Sequence, residues 1–436
     1  MIGGVETFMV TLATALGEAG HECELFFFQR GPMEQELTGK FVAHFGSLAD
    51  CLRVVDTGKF EIVHGCSTDW GYGISAARYL DAKLVITAHH DRLVPVWNST
   101  NCDALAGCSH WLATAQQPLT DLSVHTVYNG IDTEQFRPAA EIPSGMRAGG
   151  GPIIAWVGRG PDLRAKRIDK LAAIAPMLYE AGIRLWLAES HGFEQVAAVA
   201  PDAALALRET AEFWAHVPRT EIANFYRKVA VSGGCIISTS YSEGFGLAIV
   251  EAQACGCPTV GTDVRGVNEV ISPAHGGVLF PFDMEAGNLA RLVIETVSDK
   301  ERMRERRRQS FGFAHTTFSA ARMAKDYLRI YEEILRRPRR NLSRTHARFM
   351  LAPLANWREY VAHRWSAGQY QYEMSRQLAA HGESRLASAA ARASIETCPT
   401  LYGKPQRLSH LFKTMIRPMR ENKSQLKPGG GRFQSG

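Results

Sequence analysis

The residues best suited to chemistry lie between Ile236 and Ala252, where two glutamates, Glu243 and Glu251, bracket the glycines Gly244 and Gly246. The apolar pair Ile236-Ile237 delivers the chain to a Ser- and Gly-containing loop, after which the pattern turns helical. Free amides at a helix start, with the helix dipole behind them, favour anionic oxygens such as those of a phosphate. Gly244 and Gly246 let the backbone approach a ligand closely. Eight residues span about 2.2 helical turns, so within one helix the two carboxylates would share a face and contact one extended ligand. A surface helix with a capping Glu243 and a solvated Glu251 would have charged neighbours, whereas here they are apolar and glycine-punctuated.

Cations and histidines form a second group. Val157-Gly158-Arg159 ends an apolar run, and Arg164, Lys166 and Arg167 follow within eight residues. No Asp-x-Asp metal site stands in a comparable loop. Val85-Ile86-Thr87-Ala88 runs into the pair His89-His90, one of which would face a ligand at the strand's end. His64-Gly65 and Trp70-Gly71-Tyr72-Gly73 are weaker candidates, since a histidine after a strand and an aromatic-glycine loop are most often structural.

These residues need a scaffold, and the chain supplies the pattern for one. Val5, Phe8, Met9, Leu12 and Leu16 are spaced for a helix that Gly20 closes, and Glu22 to Phe28 then reads as a strand. Further strand-like runs fall at 61–64, 83–87 and 124–128, separated by helical stretches, the alternation of a parallel βαβ sheet. Pro138 to Gly151 is rich in Pro, Gly and Ala and reads as a linker. A new strand at 152–157 opens a second such series, with strands at 184–188, 235–238, 259–261 and 277–280. Two doubly wound units would face each other across a cleft at their strands' carboxyl ends. The organisation expected is an N-terminal unit at 1–142, a linker at 143–151, a second unit at 152–315, a crossover helix at 316–335 and a basic helical extension at 336–436. In the extension Gly382, Ala387, Ala391 and Pro399 partly match the second helix of a tetratricopeptide-type repeat, and a helical hairpin is expected there.

With 436 residues, 45% hydrophobic and 21% charged, the chain suits a globular protein with more than one core. No apolar run is long enough to cross a membrane as a helix, and the N-terminus lacks the features of a signal peptide. Nine cysteines without metal-ligand spacing read as reduced thiols of a cytoplasmic protein. The net charge of +5 is unevenly placed, with Arg336, Arg337, Arg339 and Arg340 in one cluster and a basic segment after Leu401. Such asymmetry suits either a solvated tail or a peripheral contact with an anionic membrane surface; nucleic acid is not indicated.

Taken together, these segments resemble the retaining GT-B glycosyltransferases of family 4. The stretch from Glu243 to Glu251 looks like their E-x7-E motif. Gly3-Gly4-Val5-Glu6 looks like their N-terminal glycine-rich loop, Tyr128-Asn129-Gly130-Ile131-Asp132 with Phe136 and Pro138 like their pre-linker signature, and Arg159 with Lys166 like their phosphate-binding pair. Pro258, Gly266, Glu269 and Gly276-Gly277 are similar to the closing segment of the donor site, and 318–335 to the last helix. The resemblance covers roughly residues 1–335, and its joint pattern is specific where no single piece would be.

It implies an α/β GT-B fold, two Rossmann-like domains with an α-helical C-terminal extension, and transfer of a sugar from a UDP- or GDP-sugar to a carbohydrate or lipid-linked acceptor hydroxyl. Such a reaction would serve polysaccharide, glycolipid or other glycoconjugate synthesis, with no cofactor beyond the donor and no metal. By the same resemblance Glu251 would bind the ribose, Arg159 and Lys166 the diphosphate, and Gly3 and Gly4 would line the donor site. Glu243 would face the donor sugar beside the amides of Phe245, Gly246 and Leu247. Either His89 or His90 would contact the transferred sugar. The chain departs from the family where Lys166-Arg167 replaces Lys-Gly, so Arg164 or Arg167 could share the phosphate role. It also begins directly in the glycine loop, where the family has a central strand ahead of it; the expectation is an upstream start or a truncated form. A catalytically impaired GT-B scaffold that recruits partners through its helical C-terminal region is the alternative, and a nucleotide-sugar epimerase is disfavoured by Asn129-Gly130-Ile131-Asp132.

Overall fold

The computed structural model describes residues 3–31, 39–66, 71–90, 97–99, 101–139, 150–158, 162–189, 192–215, 217–338 and 357–398, with isolated positions at 34, 37, 406, 407, 409, 410 and 414. The N-terminal half contains α1 (Gly4–Glu18), β1 (Glu24–Phe27), β2 (Val42–Phe45), α2 (Leu48–Gly58), β3 (Ile62–Cys66), a 3-10 helix (Gly71–Tyr79), β4 (Lys83–Ala88), β5 (Ala104–Gly107), α3 (His110–Gln116) and β6 (Val124–Thr126). The second half contains β7 (Ile153–Val157), α4 (Ile168–Glu180), β8 (Arg184–Glu189), α5 (Phe193–Val199), α6 (Pro201–Arg208), β9 (Ala211–Ala215), α7 (Ile222–Val231), β10 (Cys235–Ser238) and α8 (Leu247–Ala254). It continues through β11 (Thr259–Thr262), α9 (Val267–Val270), β12 (Val278–Phe280), α10 (Ala286–Ser298) and α11 (Lys300–Thr317), and is followed by α12 (Ala320–Arg336), α13 (Trp357–Ala380) and α14 (Ser384–Thr397).

The second half forms one parallel sheet in the order β12-β11-β10-β7-β8-β9. Its central strands are apolar on both faces, as a sheet covered by helices on each side requires: Ile153, Ile154, Ala155, Trp156, Ile236 and Ile237 are all buried. The strand order reverses between β7 and β10, so the segments leaving their carboxyl ends, Gly158 onward and Thr239 onward, part to opposite sides. That divergence is where a doubly wound sheet opens a ligand crevice. The two segments carrying the sequence-predicted phosphate and sugar groups therefore meet at the switch point.

The N-terminal half is split into a four-stranded parallel sheet, β3-β4-β5-β6, and a two-stranded parallel ribbon, β1-β2. Between the edges of β1 and β3 lies a cavity of about 1780 Å³, lined by Leu25 and Phe27 on one side and by Val63, His64 and Cys66 on the other, with Phe8 and Leu12 of α1 along it. No strand of the described residues lies between those two edges. α1 bridges the pieces: Phe8, Leu12 and Leu16 pack with Val85 and Tyr327, and its Ala13 packs with Leu25 and Leu37.

α12 crosses back onto the N-terminal half. Ile131 N–H donates to the Phe318 carbonyl at 2.8 Å, and Ala320 N–H donates to the Ile131 carbonyl at 2.9 Å. Gly130 has to be a glycine here, because a Cβ would sit 2.7 Å from the Ala320 backbone. Beyond it, α13 and α14 form the expected helical hairpin around Gly382, whose φ of +80° suits a residue without a Cβ. Its Met374, Leu378, Leu386, Ala387 and Ala390 are buried against Leu48, Leu52, Ile74 and Leu84, so the hairpin caps one face of the N-terminal sheet. Gln371 donates to Ser75 Oγ at 2.7 Å, and Arg53 pairs with Glu383 at 2.6 Å across the same junction.

α7 closes at Val231, Gly233 turns at φ +84°, and β10 starts at Cys235, as its strand pattern predicts. Gly234 lies so close to Ile153 that a Cβ would meet its carbonyl at 1.8 Å, which forces the change of direction. Strands β2, β5 and β9 carried little strand signal; Ala104-Leu105-Ala106-Gly107 holds no β-branched residue and is a strand because it is buried on every side.

Candidate active site at the sheet switch point

Glu243 sits in the loop between β10 and α8, and not in the helix itself. α8 begins at Leu247, and Gly246 before it adopts the left-handed conformation at φ +90°, ψ +50°. The helical phase that would have placed Glu243 and Glu251 on one face is broken at that glycine. The two carboxylates instead have separate partners. Glu243 Oε1 accepts from Lys166 Nζ at 2.7 Å and from Ser240 Oγ at 2.8 Å. Glu251, in the second turn of α8 and 4% exposed, accepts from Arg219 Nη1 at 2.5 Å and from the Tyr226 hydroxyl at 3.4 Å.

The basic segment reaches Glu243 because its backbone is docked on the same loop. The Tyr241 amide donates to the Ala165 carbonyl at 2.9 Å, and Thr239 Oγ1 donates to the Lys166 carbonyl at 2.6 Å. Of the rival cations, Arg167 is turned away: it pairs with Asp169 at 2.9 Å and lies over the rings of Tyr241 and Phe282. Arg164 is exposed in the turn before α4. Lys166 is therefore the cation the fold aims at Glu243. Arg159 lies outside the described residues, as does Trp70.

The amides of Phe245, Gly246 and Leu247 donate to no protein acceptor among the described residues. They stand at the amino end of α8, where the dipole favours an anion. Phe245 itself is buried against Tyr128 and Phe318, and this anchors the loop from below.

The N-terminal half meets this loop directly. A Cβ on Gly244 would lie 2.3 Å from the His89 carbonyl, and a Cβ on Gly4 would lie 3.6 Å from the Leu247 side chain. Gly3 caps α1 with extended backbone, so the glycine loop and the donor loop face each other. His89 is 8% exposed, packs against Phe8 with the rings tilted by 59° and 4.4 Å between centroids, and has a buried Nε2 without a partner among the described residues. Burial, helped by His64 and His90, holds its pKa down at about 3, so the ring is neutral. His90 is exposed at the surface. His64 is structural: it bonds the Tyr331 hydroxyl at 2.7 Å and Thr87 Oγ1 at 2.8 Å, and burial lowers its pKa to about 3.

Sequence reasoning missed Arg219, Tyr226 and Trp111. Arg219 and Tyr226 surround Glu251 from α7 and the segment before it. Trp111 donates its indole N–H to the Glu243 carbonyl at 2.9 Å from the opposite domain. None stands in a motif; only the buried carboxylate Glu251 hinted that a cation had to be near it.

Residues 149–311 match the family model described as glycosyl transferases group 1, and residues 2–135 match that of glycosyltransferase family 4. A D-inositol 3-phosphate glycosyltransferase from Frankia alni is 27% identical over 341 residues, 64% of this chain and 82% of its own length. One from Kribbella flavida is 31% identical over 57% of this chain and 60% of its own. An alpha-maltose-1-phosphate synthase from Mycolicibacterium smegmatis is 31% identical over 48% of this chain and 57% of its own. Among solved structures, a glycosyltransferase from Rickettsia africae superposes with a TM-score of 0.63 at 18% identity, covering 77% of this chain and 96% of its own. The Anabaena protein HepE, solved with UDP and glucose, gives 0.60 at 18% identity, covering 76% and 96%. These likenesses establish the α/β GT-B fold.

Proposed function

The chain belongs to the family 4 glycosyltransferases, and on that premise we propose that it moves a sugar from a UDP- or GDP-sugar to an acceptor hydroxyl with retention at the anomeric carbon. The observation that carries the proposal is the pairing of Lys166 with Glu243 beside three unclaimed amides at the switch point. A cation and a helix amino end suit a diphosphate, and a carboxylate suits sugar hydroxyls. Glu251, held by Arg219 and Tyr226, is assigned to the ribose.

In this reading Lys166, with Arg159, takes up the charge that develops on the leaving diphosphate, a role that needs fixed cations and no divalent metal. The acceptor hydroxyl attacks from the same face as the departing phosphate, which can accept its proton, so no side-chain base is assigned. Neutral His89, with its buried Nε2 next to Gly244, is assigned to a hydroxyl of the transferred sugar. The names of the relatives specify D-inositol 3-phosphate and alpha-maltose 1-phosphate, so phosphorylated polyols and sugars are the first acceptors to screen. No helix among the described residues is long and apolar enough to cross a membrane. The basic C-terminal segment is assigned to an anionic membrane surface on its cytoplasmic side, as befits a lipid-linked acceptor.

A donor panel read by mass spectrometry tests the proposal: nucleoside diphosphate released by wild type and lost in Glu251→Ala and Arg159→Ala supports it. Absence of binding to every UDP- and GDP-sugar would leave the catalytically impaired scaffold as the better reading.

A further inference from the structure

Glu269 belongs to α9 of the C-terminal domain, yet its carboxylate spans the amino end of α3 in the N-terminal domain. Its Oε2 accepts from the His110 amide at 2.6 Å, and its Oε1 accepts from the Trp111 amide at 2.9 Å. Burial and the neighbouring Glu269 carboxylate push the Tyr128 hydroxyl up to about 12. Trp111 also gives its indole N–H to the Glu243 carbonyl. The Glu243 amide is held as well, donating to the Arg265 carbonyl at 3.0 Å, and Arg265 lies over the Trp111 ring at 5.8 Å.

Gly266 makes this crossing sterically possible. Its φ is +79°, and a Cβ there would stand 2.0 Å from the Glu243 carbonyl oxygen and 3.1 Å from the Trp111 indole nitrogen. The two halves are thus joined around the residue assigned to the donor sugar by three hydrogen bonds, all donated by His110 and Trp111 and accepted by Glu269 and Glu243. Neither Glu269 nor Trp111 is fully buried, so neither is a core residue whose loss would unfold a domain.

We infer that Glu269 and Trp111 are positioning residues, a clasp that holds the two domains closed and fixes the backbone of Glu243 in its donor-facing place. A carboxylate across the first amides of a helix is a charge-assisted contact, stronger than a neutral one. Closure then sets where the Glu243 carboxylate points, because its amide is held within its own half and its carbonyl is anchored when the clasp is made. The kinetic part of this inference rests on the proposed transferase activity; the closure part does not.

Small-angle X-ray scattering of the whole chain without ligand, with circular dichroism and thermal melting alongside, tests the clasp in wild type, Glu269→Ala, Glu269→Gln and Trp111→Phe. The expected result is a larger radius of gyration for Glu269→Ala and Trp111→Phe at unchanged melting temperature. Glu269→Gln, whose single amide oxygen can accept from only one of the two N–H groups, should fall between wild type and Glu269→Ala. With a donor that wild type turns over, Trp111→Phe and Glu269→Ala should lower kcat about tenfold, the effect of one lost hydrogen bond to a charged or catalytic group, with donor KM changed far less and Glu269→Gln rescuing part of it. A wild-type radius of gyration in both Glu269→Ala and Trp111→Phe would overturn the clasp. Absence of turnover by wild type on every donor would count against the transferase reading and leave the scattering result to decide the clasp.

Discussion

Lys166 Nζ and Glu243 Oε1 lie 2.7 Å apart, joining the group assigned to the diphosphate and the group assigned to the sugar in one half-buried ion pair. A donor that claims Lys166 with its phosphates has to weaken this pair, which frees Glu243 to accept from sugar hydroxyls. Removing the cation should therefore cost more than binding. Lys166→Ala is expected to lower kcat/KM by roughly a hundredfold or more, the usual scale for losing one transition-state charge stabiliser. Steady-state release of nucleoside diphosphate measures it, and a loss below threefold would reassign the role to Arg159 or Arg164.

Glu251 makes a different prediction because it is almost fully buried. Its partner Arg219 leaves a charged carboxylate with inadequate compensation when it is removed, and such losses cost about 3–5 kcal/mol. Arg219→Met should lower the free energy of unfolding on that scale, and the double replacement Arg219→Met with Glu251→Leu should recover most of it. Urea titration of wild type and both variants decides the matter. Equal stability of Arg219→Met and wild type would show that Arg219 does not compensate Glu251.

The two buried histidines make stability depend on pH in a defined window. His64 and His89 have pKa values of about 3 in the folded chain because burial disfavours the charged ring. Unfolded, each titrates near the ordinary value of about 6.5. Between these values the unfolded state binds more protons, so stability is fully present above about pH 6.5 and falls as pH drops toward about 3, by as much as about 2.7 kcal/mol per pH unit for the pair. Replacing His64 by Gln should halve the part of the slope due to these rings. Denaturant unfolding at several pH values between 7 and 4 reads it, and a slope unaffected by His64→Gln would mean that His64 is not buried neutral.

The facing edges of β1 and β3 should accept one more parallel strand. Unpaired backbone groups in a buried sheet cost about 1–3 kcal/mol each, and a strand that pairs with both edges removes that cost. An apolar extended segment of about six residues, a common strand length, fused ahead of Met1 is expected to raise the melting temperature. It should also slow amide exchange in 24–27 and 62–66. Unchanged melting and exchange would show that the cavity between those strands does not take a strand.

Much of this was legible in sequence because its causes are local. The helix pattern of α1 and the apolar strands β7 and β10 follow from periodicity and composition. So do the glycine-punctuated loop from Glu243 to Gly246 and the hairpin around Gly382. The amide-rich start of α8 also follows, since an αL glycine and the helix after it are set by neighbours a few residues away. Strands such as β5 were not legible, because Ala104 to Gly107 becomes a strand only through burial by others.

The sequence by itself determined that a loop with two acids and two glycines follows a buried strand, and that cations lie in another loop after a strand. Tertiary structure alone decided which cation reaches which acid. Strand order put β7 next to β10, and so Lys166 against Glu243, while Gly246 broke the helical phase and sent Glu251 to Arg219. It also decided that Trp111 and Glu269, 158 residues apart in sequence, hold the two halves together. Partners of that kind are fixed by how sheets and helices stack, and no spacing along the chain encodes them.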